Sequence, residues 1–373
     1  MRLTGAQVFD PIHGFVERDV CFDGGKVVEA ADGAVDVSGC YVIPGLTDLH
    51  FHGCRGADFS DGDPEGLQTM ADYELSRGVT QICPAGMTLE TEQLEKICRM
   101  GAEHRKHSKS GAELVGIHLE GPFLSMAKKG AQNGAWLQNP NVELLEHLMD
   151  CAEGLVKLVS IAPELDGAMD FIKAVSDRVA VSLAHTTASY DIAKEAFDNG
   201  ARHLTHTYNA MPPFNHREPG VIGAAADCDH VYCEIISDGV HIHPAVIRAT
   251  FRMMGKDRMI LVSDTMRAAG MSDGAYTLGG QDVTVVGNKA TLADGTIAGS
   301  ATDLMACMKT AVSFGISLAD AVTAAAVNPA KALGLYDQYG SLEAGKAANA
   351  VVLDQDLNIR AVILRGTVVH GAL

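Results

Sequence analysis

Residues able to bind a metal or move a proton recur at the ends of short apolar runs in this chain. The run at 45–49 leads through Asp48 into His50 and His52. The run at 114–118 leads to Glu120, that at 179–184 to His185, that at 203–205 to His206, and that at 259–262 to Asp264. His241 follows the run at 231–236 by a few residues. A single histidine or glutamate is commonly a satisfied structural residue. Packing gives no reason to place so many at the tips of separate runs, and burying them unpaired is costly. A divalent cation is the simplest compensation. Imidazole and carboxylate donors without cysteine suit zinc, iron or another first-row ion. His50 and His52 alternate around Phe51, which puts both rings on one side of an extended segment. Gly121-Pro122 directly follows Glu120 and is expected to end that strand, leaving the carboxylate at its tip.

Something must bring these tips together. Apolar runs at 45–49, 79–83, 114–118, 157–161, 179–184, 203–205, 231–236 and 259–262 alternate with segments of helical period. Asp63-Pro64 supplies a cap and a first-turn proline for one helix, which Gly78 ends. Further helices are expected at 90–104, 142–151, 168–176, 189–199, 244–254, 303–313 and 318–327, with an inserted hairpin region at 276–297. The count is that of a (β/α)₈ TIM-type barrel, whose strand tips converge on one catalytic face. An open doubly wound sheet is the alternative, but no glycine-rich phosphate turn follows a strand here. Residues 1–45 and 340–373 carry dense hairpin signals. They are expected to form one small β-sandwich-like domain flanking a catalytic barrel at 46–339.

Net charge is −18, from 29 basic and 47 acidic residues, which argues against nucleic acid and anionic membranes as partners. No apolar run is long enough to span a bilayer and no leader pattern begins the chain. The nine cysteines contain no CxxC pair and read as reduced core thiols, so a cytoplasmic location is expected.

PGLTDLHFHG resembles the strand-one signature of the metal-dependent amidohydrolase superfamily. HLEGPF, AHTTA, THTYNAM, HREPG, DGVHI and LVSDTM, in this order, resemble its N-acetylglucosamine-6-phosphate deacetylase branch, and the resemblance covers essentially the whole chain. It implies metal ligation by Glu120, His185 and His206, and acid/base work by Asp264. It also implies sugar-phosphate contacts from Asn209, Ala210 and His241, and from the strip Thr302, Asp303 and Leu304. Arg217 matches a phosphate-binding arginine that reaches across a homodimer interface. The implied reaction is hydrolysis of the acetamide of N-acetylglucosamine 6-phosphate.

Two positions qualify what the resemblance implies. Some members of the branch lack the strand-one histidine pair and hold one metal. Here His50 and His52 are present, so a second ion bridged by Glu120 is expected at full loading. Gln132 stands where the branch commonly has a substrate-holding histidine. A neutral amide cannot supply positive charge, which brings the galactosamine epimer, or a sugar less dependent on phosphate, into play. His118 is expected to face away from Glu120 and to be structural, and Cys54 to pack behind the histidine pair. Other amidohydrolase activities commonly place a carboxylated lysine at strand four, where this chain has Ile161-Ala162-Pro163-Glu164. A non-catalytic relative that keeps the barrel for binding would have lost ligands that are all present here.

Overall fold

The computed structural model describes all 373 residues. Eight parallel strands form the centre: β1 Leu46–Asp48, β2 Val79–Ile82, β3 Ile117–Phe123, β4 Val156–Ile161, β5 Ala180–Leu183, β6 His203–Leu204, β7 Tyr232–Ile236 and β8 Met259–Val262. β3 to β8 pair in sequence order as one parallel sheet, and β1 pairs with β2. Two seams close the ring. Ala85 pairs with His118 between the β2 and β3 sides. At the other seam the His52 amide donates to the Thr265 carbonyl at 2.7 Å, and the Asp264 amide to the His50 carbonyl at 2.9 Å. The second seam therefore consists of site residues. The architecture is the TIM-type barrel expected from the alternating runs.

Helices cover the outside: α1 Pro64–Ser76, α2 Thr91–His107, α3 Val142–Cys151, α4 Ala168–Val175, α5 Tyr190–Asp198, α6 Gly220–Ala226, α7 Pro244–Met254 and α8 Leu304–Ser313. The local signals act as expected. Asp63 accepts from the Glu65 and Gly66 amides to start α1, and Ser189 caps α5 through the Ile192 amide. α6 was not foreseen, because its Gly220 start and Gly223 interior lack helix propensity; its residues from Gly220 to Ala225 are all buried. The expected helix at 318–327 is α-helical only over Leu318–Val322 and continues as a π turn.

The chain ends build two sheets. One contains Arg2–Thr4, Val20–Asp23, Lys26–Val28 and Ala34–Asp36. The other joins Gln7–Asp10, Gly14–Glu17 and Tyr41–Pro44 to Ala350–Leu353, Ile359–Leu364 and Thr367–Gly371. Strand alternation divides the second sheet between two cores. Val42, Ala350 and Val352 pack with Leu3, Val20 and Phe22 of the first sheet. Ile43, Val351 and Leu353 join the large cluster that surrounds the barrel. After β8, four antiparallel strands (Gly274–Leu278, Gln281–Val286, Lys289–Thr291 and Ile297–Ser300) form the inserted hairpin region. Its last strand is tied back to the site by the Ser300 amide, which donates to the Asp264 carbonyl at 2.7 Å. No helix is long and apolar enough to cross a membrane.

Candidate active site

β3 does not stop at Gly-Pro. It resumes as far as Phe123, which pairs with Ile161, after a register shift between Leu119 and Phe123. Gly121 sits in this irregularity at φ +117°, a conformation L side chains rarely adopt. A bulge of this kind re-aims a side chain without ending the strand. Here it lies beside Glu120, which is almost completely buried.

Glu120 is the hub. Its Oε1 lies 3.1 Å from His185 Nε2 and 2.9 Å from His206 Nε2, and those two nitrogens are 3.2 Å apart. Three donor atoms thus converge on one point. The same Oε1 lies 3.6 Å from His50 Nε2, while Oε2 lies 3.3 Å from His52 Nε2. Asp264 Oδ1 completes the group, 3.4 Å from His52 Nε2 and 3.8 Å from His50 Nε2. His185, His206 and Asp264 all adopt left-handed backbone, with φ of +42°, +28° and +49°. Non-glycine residues seldom do so, and such conformations concentrate at functional sites.

Hydrogen bonds to the outer ring nitrogens show what the centre needs. His185 Nδ1 faces the Lys128 carbonyl at 2.7 Å, His52 Nδ1 the Ala85 carbonyl at 3.1 Å, and His50 Nδ1 the Glu234 carboxylate at 2.9 Å. In each neutral ring the proton therefore belongs on Nδ1. The bare Nε2 then points at a carboxylate oxygen, acceptor against acceptor. Only positive charge resolves that opposition. Burial opposes charging of His50, yet the carboxylates of Glu234 and Glu120 outweigh it and push its pKa up to about 9. The residues fit a cation: Glu120, His185 and His206 form a His/His/Glu metal-binding site, and His50, His52 and Glu120 a second converging set.

The sequence reading missed the support beneath this centre. Glu234, fully buried in β7, accepts from His50 Nδ1, from His203 Nε2 at 2.8 Å and from the His206 amide at 3.1 Å. A glutamate inside the apolar run Tyr-Cys-Glu-Ile-Ile was the available signal. His118 is a correction. Residues two apart on a strand share a face, so it lies on the same side as Glu120. Its ring packs edge-on against His50 at 4.7 Å, and its Nε2 meets Ser160 Oγ at 2.8 Å. Burial and the nearby His50 charge lower its pKa to about 3, so it remains neutral.

The centre opens into a cavity of about 390 Å³. Its walls include Gln132, Asn209, Ala210 and His241, with Thr296–Gly299 of the inserted hairpin region on one side. His241 is oriented by Asp238, whose Oδ2 lies 2.7 Å from its Nδ1. Asn209 donates back to the His206 carbonyl at 3.1 Å. Thr302, Asp303 and Leu304 do not line this cavity, contrary to expectation. Asp303 caps α8 through the Ala306 amide and pairs with Arg77 at 2.7 Å, while Leu304 is wholly buried in the core. Arg217 lies on an exposed loop outside the cavity of its own chain, its amide donating to Asn215 Oδ1. Lys128 is the one lysine or arginine on the cavity wall.

Known proteins share this fold and much of this sequence. The amidohydrolase family model matches residues 41–369. An N-acetylglucosamine-6-phosphate deacetylase of Bacillus subtilis is 39% identical over 88% of this chain and 84% of its own length. An N-acetylgalactosamine-6-phosphate deacetylase of Escherichia coli is 33% identical over 87% of this chain and 86% of its own. Among solved structures, an aspartate-to-alanine mutant of the Mycobacterium smegmatis N-acetyl-D-glucosamine-6-phosphate deacetylase, in complex with N-acetyl-D-glucosamine-6-phosphate, superposes with a TM-score of 0.93. It is 34% identical, with 99% of each chain covered. The Thermotoga maritima deacetylase gives a TM-score of 0.90 at 29% identity over the whole of both chains. With its buried His/His/Glu centre at the barrel's strand tips, this chain belongs to the metal-dependent amidohydrolases, in their N-acetylglucosamine-6-phosphate deacetylase family.

Proposed function

We propose that the chain hydrolyses N-acetylglucosamine 6-phosphate to glucosamine 6-phosphate and acetate. One observation carries this: Glu120, His185, His206 and Asp264 share one cavity, in a chain similar end to end to a deacetylase solved with that compound. A bound divalent ion supplies Lewis acidity for the amide carbonyl and for water. Glu120, His185 and His206 would hold it. Zinc or iron suits these donors, and His50, His52 and Glu120 offer room for a second ion.

Asp264 is the proton carrier. Without the ion, burial works against its ionisation, but the hydrogen bond from a protonated His52 and the charge of His50 outweigh it and keep the carboxyl below its ordinary range. It starts as a base, taking a proton from the attacking water, and returns that proton to the departing amine nitrogen. His241 and Asn209 present polar groups to the sugar, with Ala210 beside them. Lys128 on the wall and Arg217 from a second subunit supply the charge that a phosphate needs in a chain of net charge −18. The homodimer, in which Arg217 would reach the neighbouring cavity, rests on the resemblance, and the exposure of Arg217 leaves it free to do so. In this reading residues 46–339 form the catalytic barrel, the sheets of 1–45 and 340–373 form one bracing domain, and the enzyme works in the cytoplasm.

Gln132, which brings the galactosamine epimer into play, has its amide engaged by the protein at both ends. We take the gluco substrate because the solved complex and the Bacillus subtilis relative carry that name. The test is acetate release from the 6-phosphates of N-acetylglucosamine and N-acetylgalactosamine and from both unphosphorylated sugars, side by side. The gluco phosphate should turn over fastest. Equal rates with and without phosphate would remove the Arg217 and Lys128 roles, and a faster galacto phosphate would reverse the sugar assignment. Absence of acetate release from all four by the metal-loaded protein would remove the activity itself.

A further inference from the structure

A second group of metal-binding side chains, sharing no residue with the catalytic centre, lies on the outer surface between α2 and α3. His147 and Cys151 are four residues apart on α3 and share a helix face. Glu95 of α2 faces them. Glu95 Oε1 is 3.0 Å from His147 Nε2, Cys151 Sγ is 3.8 Å from the same nitrogen, and the three donor atoms lie within 4.8 Å of one another. With zinc bonds of about 2.0–2.2 Å to nitrogen or oxygen and about 2.3 Å to sulfur, tetrahedral ligands stand roughly 3.3–3.6 Å apart. Two of the separations bracket those values and the third is within 4.8 Å, so rotation of the side chains is needed to seat an ion.

We propose that Glu95, His147 and Cys151 form a peripheral site for a zinc-class divalent cation, with three protein ligands and an open fourth position. Accessibility is graded as such a site requires. Cys151 is buried, whereas the Glu95 and His147 side chains are 31% and 50% exposed and leave a way in. The other oxygen of Glu95 pairs with Arg99 Nη2 at 3.5 Å, a weak surface contact that leaves Oε1 for the ion. A further thiol is close: burial first, and then the Cys151 charge, push the Cys98 pKa up to about 12. On binding, the Cys151 S–H bond breaks and its proton goes to solvent, the His147 proton moves from Nε2 to Nδ1, and the sulfur and Nε2 electron pairs form the metal bonds without any redox change. Occupancy would join α2 to α3 outside the barrel wall.

Cobalt(II) separates this site from the catalytic one. The catalytic donors are nitrogen and oxygen only, so thiolate-to-cobalt charge transfer in the near ultraviolet reports sulfur ligation alone. Metal-free full-length protein titrated with cobalt should develop that absorption. It should be lost in Cys151→Ser and need at least about tenfold more cobalt in His147→Gln, while both variants, loaded with metal at the catalytic centre, keep wild-type turnover. Circular dichroism checks that each variant is folded, and the exposed His147 position guards against a packing defect at Cys151. No charge-transfer band in the wild type overturns the proposal. So does a band that survives Cys151→Ser, including one that only Cys98→Ser removes.

Discussion

Gln132 Nε2 donates to Glu120 Oε2 at 2.7 Å, while Gln132 Oε1 accepts from the Thr88 amide at the same distance. The amide is 2% exposed and clamped at both ends. The resemblance implies a substrate contact here, where the branch commonly has a histidine; the hydrogen bonds make Gln132 the support of the central carboxylate. Glu120 thereby keeps Oε1 towards His185 and His206 and is held against rotation.

Removing that support should loosen the metal. Gln132→Ala is expected to weaken metal affinity by about 10- to 100-fold, the usual effect of losing an outer partner of a ligand. Chelator competition measures it. Unchanged affinity would mean that Glu120 is fixed without the amide.

Glu234 should matter for folding more than its distance from the cavity suggests. Glu234→Ala leaves His50 Nδ1, His203 Nε2 and the His206 amide without their buried acceptor. We expect a loss of about 3 kcal/mol or more in denaturant unfolding. A change below about 1 kcal/mol would indicate that water replaces the carboxylate.

Asp264→Asn keeps the shape of the side chain but cannot take a proton. Turnover should fall by about 10²–10⁴-fold with the metal content unchanged, read by acetate release and metal analysis of the same preparation. Retained activity would place the proton carrier elsewhere.

The Asp238–His241 pair gives stability a pH dependence. Burial opposes both charges, but each residue sustains the other: the Asp238 pKa is lowered and the His241 pKa raised. The Asp238 contribution is present above its unfolded value of about 3.9 and lost as pH falls through its lower folded value. The His241 contribution is full below about 6.5 and lost as pH rises through its higher folded value. Unfolding curves of the wild type and Asp238→Asn should therefore differ most between about pH 4 and 6.5, and converge on either side. A difference independent of pH would show that hydrogen bonding, not charge, holds His241.

Periodicity and punctuation made much of this protein legible in its sequence. The helices Val142–Cys151 and Pro244–Met254 fall where the 3.6-residue pattern and a first-turn proline put them. The runs before Glu120, His185, His206 and Asp264 are barrel strands, because short apolar runs between turn signals encode strands locally. The residue types at their tips specified the chemistry, since several imidazoles and carboxylates buried together are costly without a cation. What the tertiary structure decided were the partners. His50 meets Glu234 across 184 positions of chain, Arg77 diverts Asp303 across 226, and Gln132 turns inward to Glu120. A local pattern says which face a side chain occupies over a few residues. Which groups then share that space depends on the register of eight strands closed into a ring and on the bulge in β3, and these are set by packing over the whole barrel.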